Sequence, residues 1–332
     1  MSRAVFGFSL LTTHYSLPTT HHSRNMKIAM MGSGGVGGLI GARLAHAGCD
    51  VSFVARGAHL AAMREHGLKL ESQVENVHLP KVRVTDDPRT LGPVDLVIFS
   101  VKLWDTEVAA RSIASLIGPD TGVISLQNGV VKDDILRPII GAKALMGGVA
   151  YMGTAIARPG VIQHTGTVQK IVFGEYDGRR SKRAEGLLEW SRKAGLDAAI
   201  SDDIRRTLWE KFAFLVGMAA VTASIRLPIG PIRSHPVTRQ FYLDAMREAA
   251  AVGRAHGVRL PEDFAEERMA FVDTLPATMT ASMHHDLERG NPLEVQWLSG
   301  SVVDLGAAVG VPTPIHRAVR DILILHAQGP KS

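Results

Sequence analysis

The stretch KIAMMGSGGVGGLIGARLAHAG, Lys27 to Gly48, decides how the rest of the 332-residue chain is read. Its opening residues form a strand pattern and Val36–Ala47 a helix pattern. Between them stands Gly32-x-Gly34-x-x-Gly37. That spacing is weak alone, but here it leaves a strand and opens a helix, the context its mechanism needs. Gly32 permits the tight turn, Gly34 lets backbone approach a pyrophosphate, and Gly37 lets the helix pack closely. The helix N-terminus adds unpaired N–H groups and the positive end of its dipole. Gly32 to Gly37, with Ser33, Gly35 and Val36 between the motif glycines, is therefore the candidate phosphate cradle of a dinucleotide. The alternative is a glycine-rich turn that binds nothing.

Outward from the cradle, apolar runs alternate with helical stretches. VSFVA, VDLVIFSV and GVISLQNG read as strands, and Ala58–His66 as a helix. Continuous apolar strands between helices indicate a parallel sheet covered on both faces, hence a Rossmann-type fold. Residues 68–84 look like an extended insertion, and 143–174 like β-rich segments that finish the sheet. A helix near Ser181–Ala194 and a strand at Leu196–Ile200 close this domain, placed at 26–200. After Ser201 helical periods dominate, at about 203–224, 236–256, 262–274, 293–309 and 314–327, with prolines as punctuation. That pattern predicts an all-helical domain over 201–332.

Composition is ordinary for a globular chain: 45% apolar, 21% charged, net charge +5. Aromatics are 5% and no dense Lys/Arg cluster occurs, so no nucleic-acid role is expected. No run reaches the ~18 apolar residues of a membrane span, and none is expected. The single cysteine, Cys49, fits a reducing, cytoplasmic setting. Residues 1–25 lack Asp and Glu. They read as a disordered tail or an upstream-start extension ahead of Met26, with a transit peptide as the competitor.

The end of the second strand normally reads the cofactor's ribose. Asp or Glu there would favour NAD, but this chain has Arg56 and no nearby acid. A guanidinium pairs with a 2′-phosphate, so NADP(H) is expected. Lys102 and Asn128 fall just past later strands, on the same predicted sheet edge, where ligands bind in such folds. Lys211 opens the apolar run FAFLVGMAAVTASI, and Glu294 sits where a mostly apolar helix is expected to begin. A lysine at a dry cleft has a lowered pKa and can protonate a nascent alkoxide. The competing readings are a snorkelling lysine and a solvated first-turn acid.

The ordered set KIAMMGSGGVGG, Arg56, SVKLWDT, LQNGV, LWEKF, ASMHHDL and LEVQWLSG resembles the ketopantoate reductase (2-dehydropantoate 2-reductase) family from Met26 onward. The resemblance implies a Rossmann domain followed by a helical domain of the 6-phosphogluconate dehydrogenase C-terminal-like type, with the active site between them. It implies Lys211 as general acid and Glu294 as the acid that orients it. It implies Asn128 and Lys102 beside the nicotinamide and substrate, Ser282 on the substrate, and Arg56 as the NADP-selecting arginine. The implied reaction is NADPH-dependent reduction of a 2-oxo acid, first 2-dehydropantoate to pantoate in pantothenate biosynthesis. A homodimer is left open.

Departures stand beside the lysine. Where the family usually has asparagines four and eight residues on, this chain has Leu215 and Ala219, and its Glu-x-Asp is Glu294-Val295-Gln296. At 100° per residue Leu215 and Ala219 share the lysine's helical face, so an apolar wall is expected. An apolar site discriminates weakly for a hydroxyl, which motivates a second reading: a related reductase for a less polar 2-oxo acid. A third, non-catalytic NADP(H)-binding sensor would need neither Lys211 nor Glu294.

Overall fold

The computed structural model describes residues 26–329. The expectation for residues 1–25 lies outside them.

The first half builds one ten-stranded sheet. Strand β1 (Lys27–Met31) leads into α1 (Gly35–His46), β2 (Asp50–Val54) and α2 (Gly57–His66). Next come β3 (Leu68–Ser72), β4 (Val77–Leu79), β5 (Arg83–Thr85) and β6 (Val94–Phe99). Then follow α3 (Thr106–Ser112), β7 (Ile117–Ser125), α4 (Lys132–Ile140), β8 (Leu145–Arg158), β9 (Val161–Gly174), α5 (Lys182–Lys193) and β10 (Asp197–Ile200). Strand order is β4-β3-β9-β8-β7-β6-β1-β2-β5, with β10 also on β9. Strands β2, β1, β6 and β7 are parallel neighbours.

Register explains why distant residues converge. Met31 pairs with Val54 and with Phe99, and Phe99 pairs with Ser125. Four strands therefore end on one line, and the chain leaves that line at Gly32, Ala55, Ser100 and Leu126. Backbone bonds lock the exits together: Ser33 N–H donates to Val54 O, Ser100 N–H to Met31 O, and Leu126 N–H to Phe99 O.

Two features depart from a flat parallel sheet. The expected insertion at 68–84 is split between opposite edges: β3 and β4 pair beside β9, whereas β5 pairs with β2. The long β8–β9 hairpin is antiparallel. Together these strands curl round α1, which touches β8, β9, β3 and β4 as well as β1 and β2. The helix can sit so close because its inner face is glycine. A Cβ on Gly41 would stand 2.4 Å from the Phe53 ring, and one on Gly38 2.6 Å from Ile162. Leu39, Ile40, Phe53, Leu68 and Ile162 form that core; Ala109 and Ala110 of α3, Ile113 just after it and Leu136 of α4 cover the other face.

The second half is helical: α6 (Ile204–Ile225), α7 (Ile229–Ser234), α8 (Pro236–Ala255), α9 (Phe264–Thr274), α10 (Ser282–Glu288), α11 (Ser301–Val309) and α12 (Pro314–Leu323). Helix α6 starts where the Asp203 side chain accepts from Arg206 N–H, a satisfied N-cap. By length and composition α6 could cross a membrane, but most of it is buried inside the molecule. It is the axle of the helical core, where Phe212, Val216 and Val221 pack with Tyr242 and Met246 of α8. The helix expected from residue 293 is delayed. A π turn, Gln296–Gly300, precedes α11, so Glu294 lies ahead of the helix rather than inside it. Short α7 and α10 were not separable in the sequence.

Candidate active site

The glycine turn has the geometry its sequence predicts at most positions. Gly32 adopts φ +96°, and a Cβ there would meet Val101 N at 2.8 Å. A Cβ on Gly37 would fall inside the Gly32 carbonyl and near Ser100 Oγ. Gly37 thus folds the helix onto its own turn, while Gly38 and Gly41 bring it against the sheet. Gly35 abuts the Thr154 carbonyl of β8. Gly34 alone faces open space, and as N-cap of α1 it has no side-chain cap. The uncapped first-turn N–H groups and the free space above Gly34 fit a bound pyrophosphate. The Ser33 side chain does not face that space: it is 2% exposed and its Oγ donates to Val54 O at 3.0 Å. His59, not singled out in the sequence, fixes the turn from behind. Its Nε2 lies 2.9 Å from Ser33 O, and its Nδ1 accepts from Gly160 N–H at 3.0 Å. Burial lowers its pKa, in keeping with a neutral ring that donates on one side and accepts on the other.

Arg56 sits at the end of β2 with its side chain exposed, and donates to Asp105 Oδ2 at 2.6 Å. Asp105 closes a 3₁₀ turn, Leu103–Asp105, directly after Lys102. The guanidinium is therefore held near the cradle by an acid on the neighbouring strand exit. Exposed ion pairs of this kind contribute only about 0–1 kcal/mol, so a phosphate can displace Asp105.

Across the sheet edge, Lys211 Nζ donates to Asn128 Oδ1 at 3.0 Å. Asn128 follows β7 in a turn where Gly129 takes φ +85°. The ammonium also lies 5.6 Å from the Tyr151 ring of β8, a cation–π distance. The crevice here is lined by Gln127, Asn128, Gly129, Val149, Leu208, Lys211, Phe212 and Leu215. Burial pulls the Lys211 pKa down to about 7; the nearby Lys132 cation adds to the drop, and Glu294 opposes it.

Glu294 is 8% exposed and accepts from Leu103 N–H at 3.2 Å. Its pKa is raised, by burial first, against the pull of Lys102 and of that N–H. The direct hydrogen-bond partner of Lys211 is thus Asn128, while Glu294 acts on the lysine through its field. Lys102 Nζ donates to Asp286 Oδ2 of α10 at 3.1 Å, which adds a further bond between the sheet edge and the helical half beside those of Lys211 and Glu294. Ser282 opens α10 and is exposed. Of the two departures on α6, Leu215 borders the crevice, whereas Ala219 is 2% exposed in the helical core. Gln296 is exposed and lies against Gly300.

Sequence reading missed the group beneath Asn128. Lys132 and Asp133, both buried, begin α4; Lys132 Nζ reaches Asp133 Oδ2 at 2.9 Å, and Tyr176 Oη donates to the same oxygen at 2.6 Å. The only signal was VVKDD at a helix start, where charged residues are ordinarily solvated.

The chain matches the family model Ketopantoate reductase PanE/ApbA over residues 28–178 and its C-terminal model, Ketopantoate reductase PanE/ApbA C terminal, over 203–327. It is 34% identical over 315 residues to the 2-dehydropantoate 2-reductase of Mesorhizobium japonicum, covering 89% of this chain and 95% of that protein. Among solved structures it is similar to a PanE/ApbA family ketopantoate reductase from Ralstonia eutropha JMP134, with TM-score 0.82 and 33% identity over 91% of this chain and 98% of that one. A D-mandelate dehydrogenase solved with NADH and anilino(oxo)acetate shares the fold, with TM-score 0.82 at 22% identity over 91% and 98% of the chains. A glycine cradle where β1 leaves the sheet, a half-buried lysine bonded to the turn after β7, and two family models that together span both halves lead to one conclusion: the chain belongs to the ketopantoate reductase family, oxidoreductases that act on a CH–OH group.

Proposed function

We propose that this chain reduces a 2-oxo acid to a 2-hydroxy acid with NADPH, with 2-dehydropantoate as first substrate and Lys211 as proton donor. The observation that carries the reading is the placement of Lys211: a half-buried ammonium with a pKa lowered to about 7, bonded to Asn128 at 3.0 Å at the sheet edge that bears the glycine cradle. A general acid is most effective when its pKa lies near the working pH.

In this reading residues 26–200 hold the dinucleotide and 201–332 complete the site. Gly34 and the first-turn N–H groups of α1 would hold the pyrophosphate, and Arg56 the 2′-phosphate. The cofactor, when bound, supplies the hydride. Asn128 orients the Lys211 ammonium, which gives its proton to the oxygen of the reduced carbonyl. Glu294 keeps a negative field on that lysine, Ser282 and Asn128 are assigned to the substrate carboxylate, and Lys102 lines the site beside them.

Leu215 in the crevice wall favours a second reading, a substrate less polar than ketopantoate. Initial rates with NADPH on ketopantoate and on phenylglyoxylate, each with unsubstituted enzyme and with Lys211→Met, test both. Loss of turnover in Lys211→Met supports the assigned donor. Intact turnover refutes it, and a strong ketopantoate preference removes the second reading.

A further inference from the structure

We propose that Lys132 is a positioning residue for Lys211: its buried ammonium clamps the turn that carries Asn128 and presents a second positive charge to the proton donor. The proposal rests on Lys211 being that donor.

The clamp is visible in the hydrogen bonds. Lys132 is fully buried, and its Nζ donates to Ser125 O at 2.9 Å and to both Asp133 oxygens at 3.1 and 2.9 Å. Ser125 ends β7, so the bond to its carbonyl closes a loop with Asn128 at its crest. The loop is tied laterally as well: Ser125 Oγ donates to Gln127 Oε1 at 3.0 Å, and Gln127 Nε2 to Thr106 Oγ1 at 2.8 Å. Tyr176 Oη holds Asp133 at 2.6 Å from the far side. Asn128 has little freedom to follow anything but this frame, and Asn128 holds Lys211.

Stability alone does not account for such a pair. Buried ion pairs are often no better than apolar residues of the same volume. What the pair adds here is charge at a chosen place. Lys211 is faced by Lys132 from α4, by Glu294 from the segment before α11, and by the Tyr151 ring from β8. Glu294 in turn faces Lys102 and Asp286, and Tyr151 faces Glu210 and Arg268. Burial lowers the pKa of Lys132 and the paired Asp133 works against that drop; held as a cation by Asp133, Lys132 opposes protonation of Lys211, against the pull of Glu294. A like charge nearby makes an ammonium a better proton donor.

The test is the pH profile of kcat for NADPH-dependent reduction of ketopantoate or phenylglyoxylate, whichever turns over faster. Lys132→Gln keeps a donor for Ser125 O but removes the charge. Its alkaline limb should move up by about one pH unit, and Lys132→Arg should return it. Should Lys132→Gln fail to fold because Asp133 is left unpaired, the double variant K132M/D133N removes both charges, and an upward shift smaller than that of Lys132→Gln is expected, since the lost carboxylate offsets part of it. A limb that stays in place while only the height of kcat falls would mean that Lys132 is merely structural, and overturns the proposal. Full turnover in Lys211→Met overturns it together with the functional reading, so the two failures are told apart.

Discussion

Asn128 and Lys211, 83 positions apart, are joined by a 3.0 Å hydrogen bond that ties the end of strand β7 to helix α6. The bond sets one lone pair of the amide oxygen against the ammonium, and among the described residues the amide N–H donors have no partner. Lys211→Met should therefore lower kcat by about 10²–10⁴-fold, the usual contribution of general acid catalysis. Binding of NADPH, followed by its fluorescence, should change little, because the cradle lies on the other half of the chain. A parallel collapse of NADPH affinity would show that the substitution disrupts the fold rather than the proton transfer.

The same pair predicts a pH dependence with a definite sign. Lys211 must be protonated to act as donor, and its pKa lies near 7 in the fold. Reduction should be constant at low pH and fall as pH rises through about 7, while oxidation of the hydroxy acid rises over the same range. Asn128→Asp places a carboxylate against the ammonium and stabilises its charged form, so the limb should move to higher pH. An unchanged limb in Asn128→Asp would show that Asn128 is not in contact with the group that titrates.

Arg56 and Asp105 give a prediction about the cofactor. The Arg56 guanidinium donates to Asp105 Oδ2 at 2.6 Å. Arg56→Ala should raise KM for NADPH about ten- to a hundredfold, the worth of charge-assisted hydrogen bonds, and leave KM for NADH nearly unchanged. Asp105→Asn, which releases the arginine, should tighten NADPH. Equal losses for both nucleotides in Arg56→Ala would exclude contact with the 2′-phosphate.

The cradle was legible because its constraints are local: a strand, a turn that needs Gly32 at positive φ, and a helix that starts within a few residues. Lys211 and Asn128 were legible as types, one at the mouth of an apolar helical run and one just past a strand, but their contact was not, since it depends on how α6 crosses β8. The curl of the sheet escaped sequence reading for a related reason. Residues 68–85 alternate as strands do, yet nothing in them says that β3 joins β9 while β5 joins β2. Lys132 and Asp133 escaped most completely. Charged residues at a helix start belong in water unless a tertiary partner covers them, and here Tyr176, 43 positions on, does so.

His316 predicts how stability responds to acid. It is fully buried, with Nε2 2.9 Å from Ala245 O and Nδ1 3.2 Å from Ser299 Oγ, and burial pushes its pKa down to about 4. The unfolded chain, with an ordinary imidazole near pH 6.5, binds more protons between those values. Stability should then fall as pH drops from about 6.5 to 4, by at most about 3 kcal/mol from this group. Urea unfolding at pH 7 and pH 5 measures the difference, and His316→Gln should reduce it. An equal acid loss in His316→Gln would assign the effect to other groups.

Leu215 tests substrate choice at a position that tolerates change. It borders the crevice one turn beyond Lys211 and is only partly buried, whereas Ala219 is sealed in the core. Leu215→Asn puts an amide at the wall without emptying the core, and should raise kcat/KM for ketopantoate about tenfold relative to phenylglyoxylate, the value of one hydrogen bond to a hydroxyl. Ala219→Asn should instead lower Tm with no such gain, because a polar side chain is forced between packed helices. If Leu215→Asn lowers both substrates alike, the apolar wall does not select between them, and discrimination must come from the α10 side of the site.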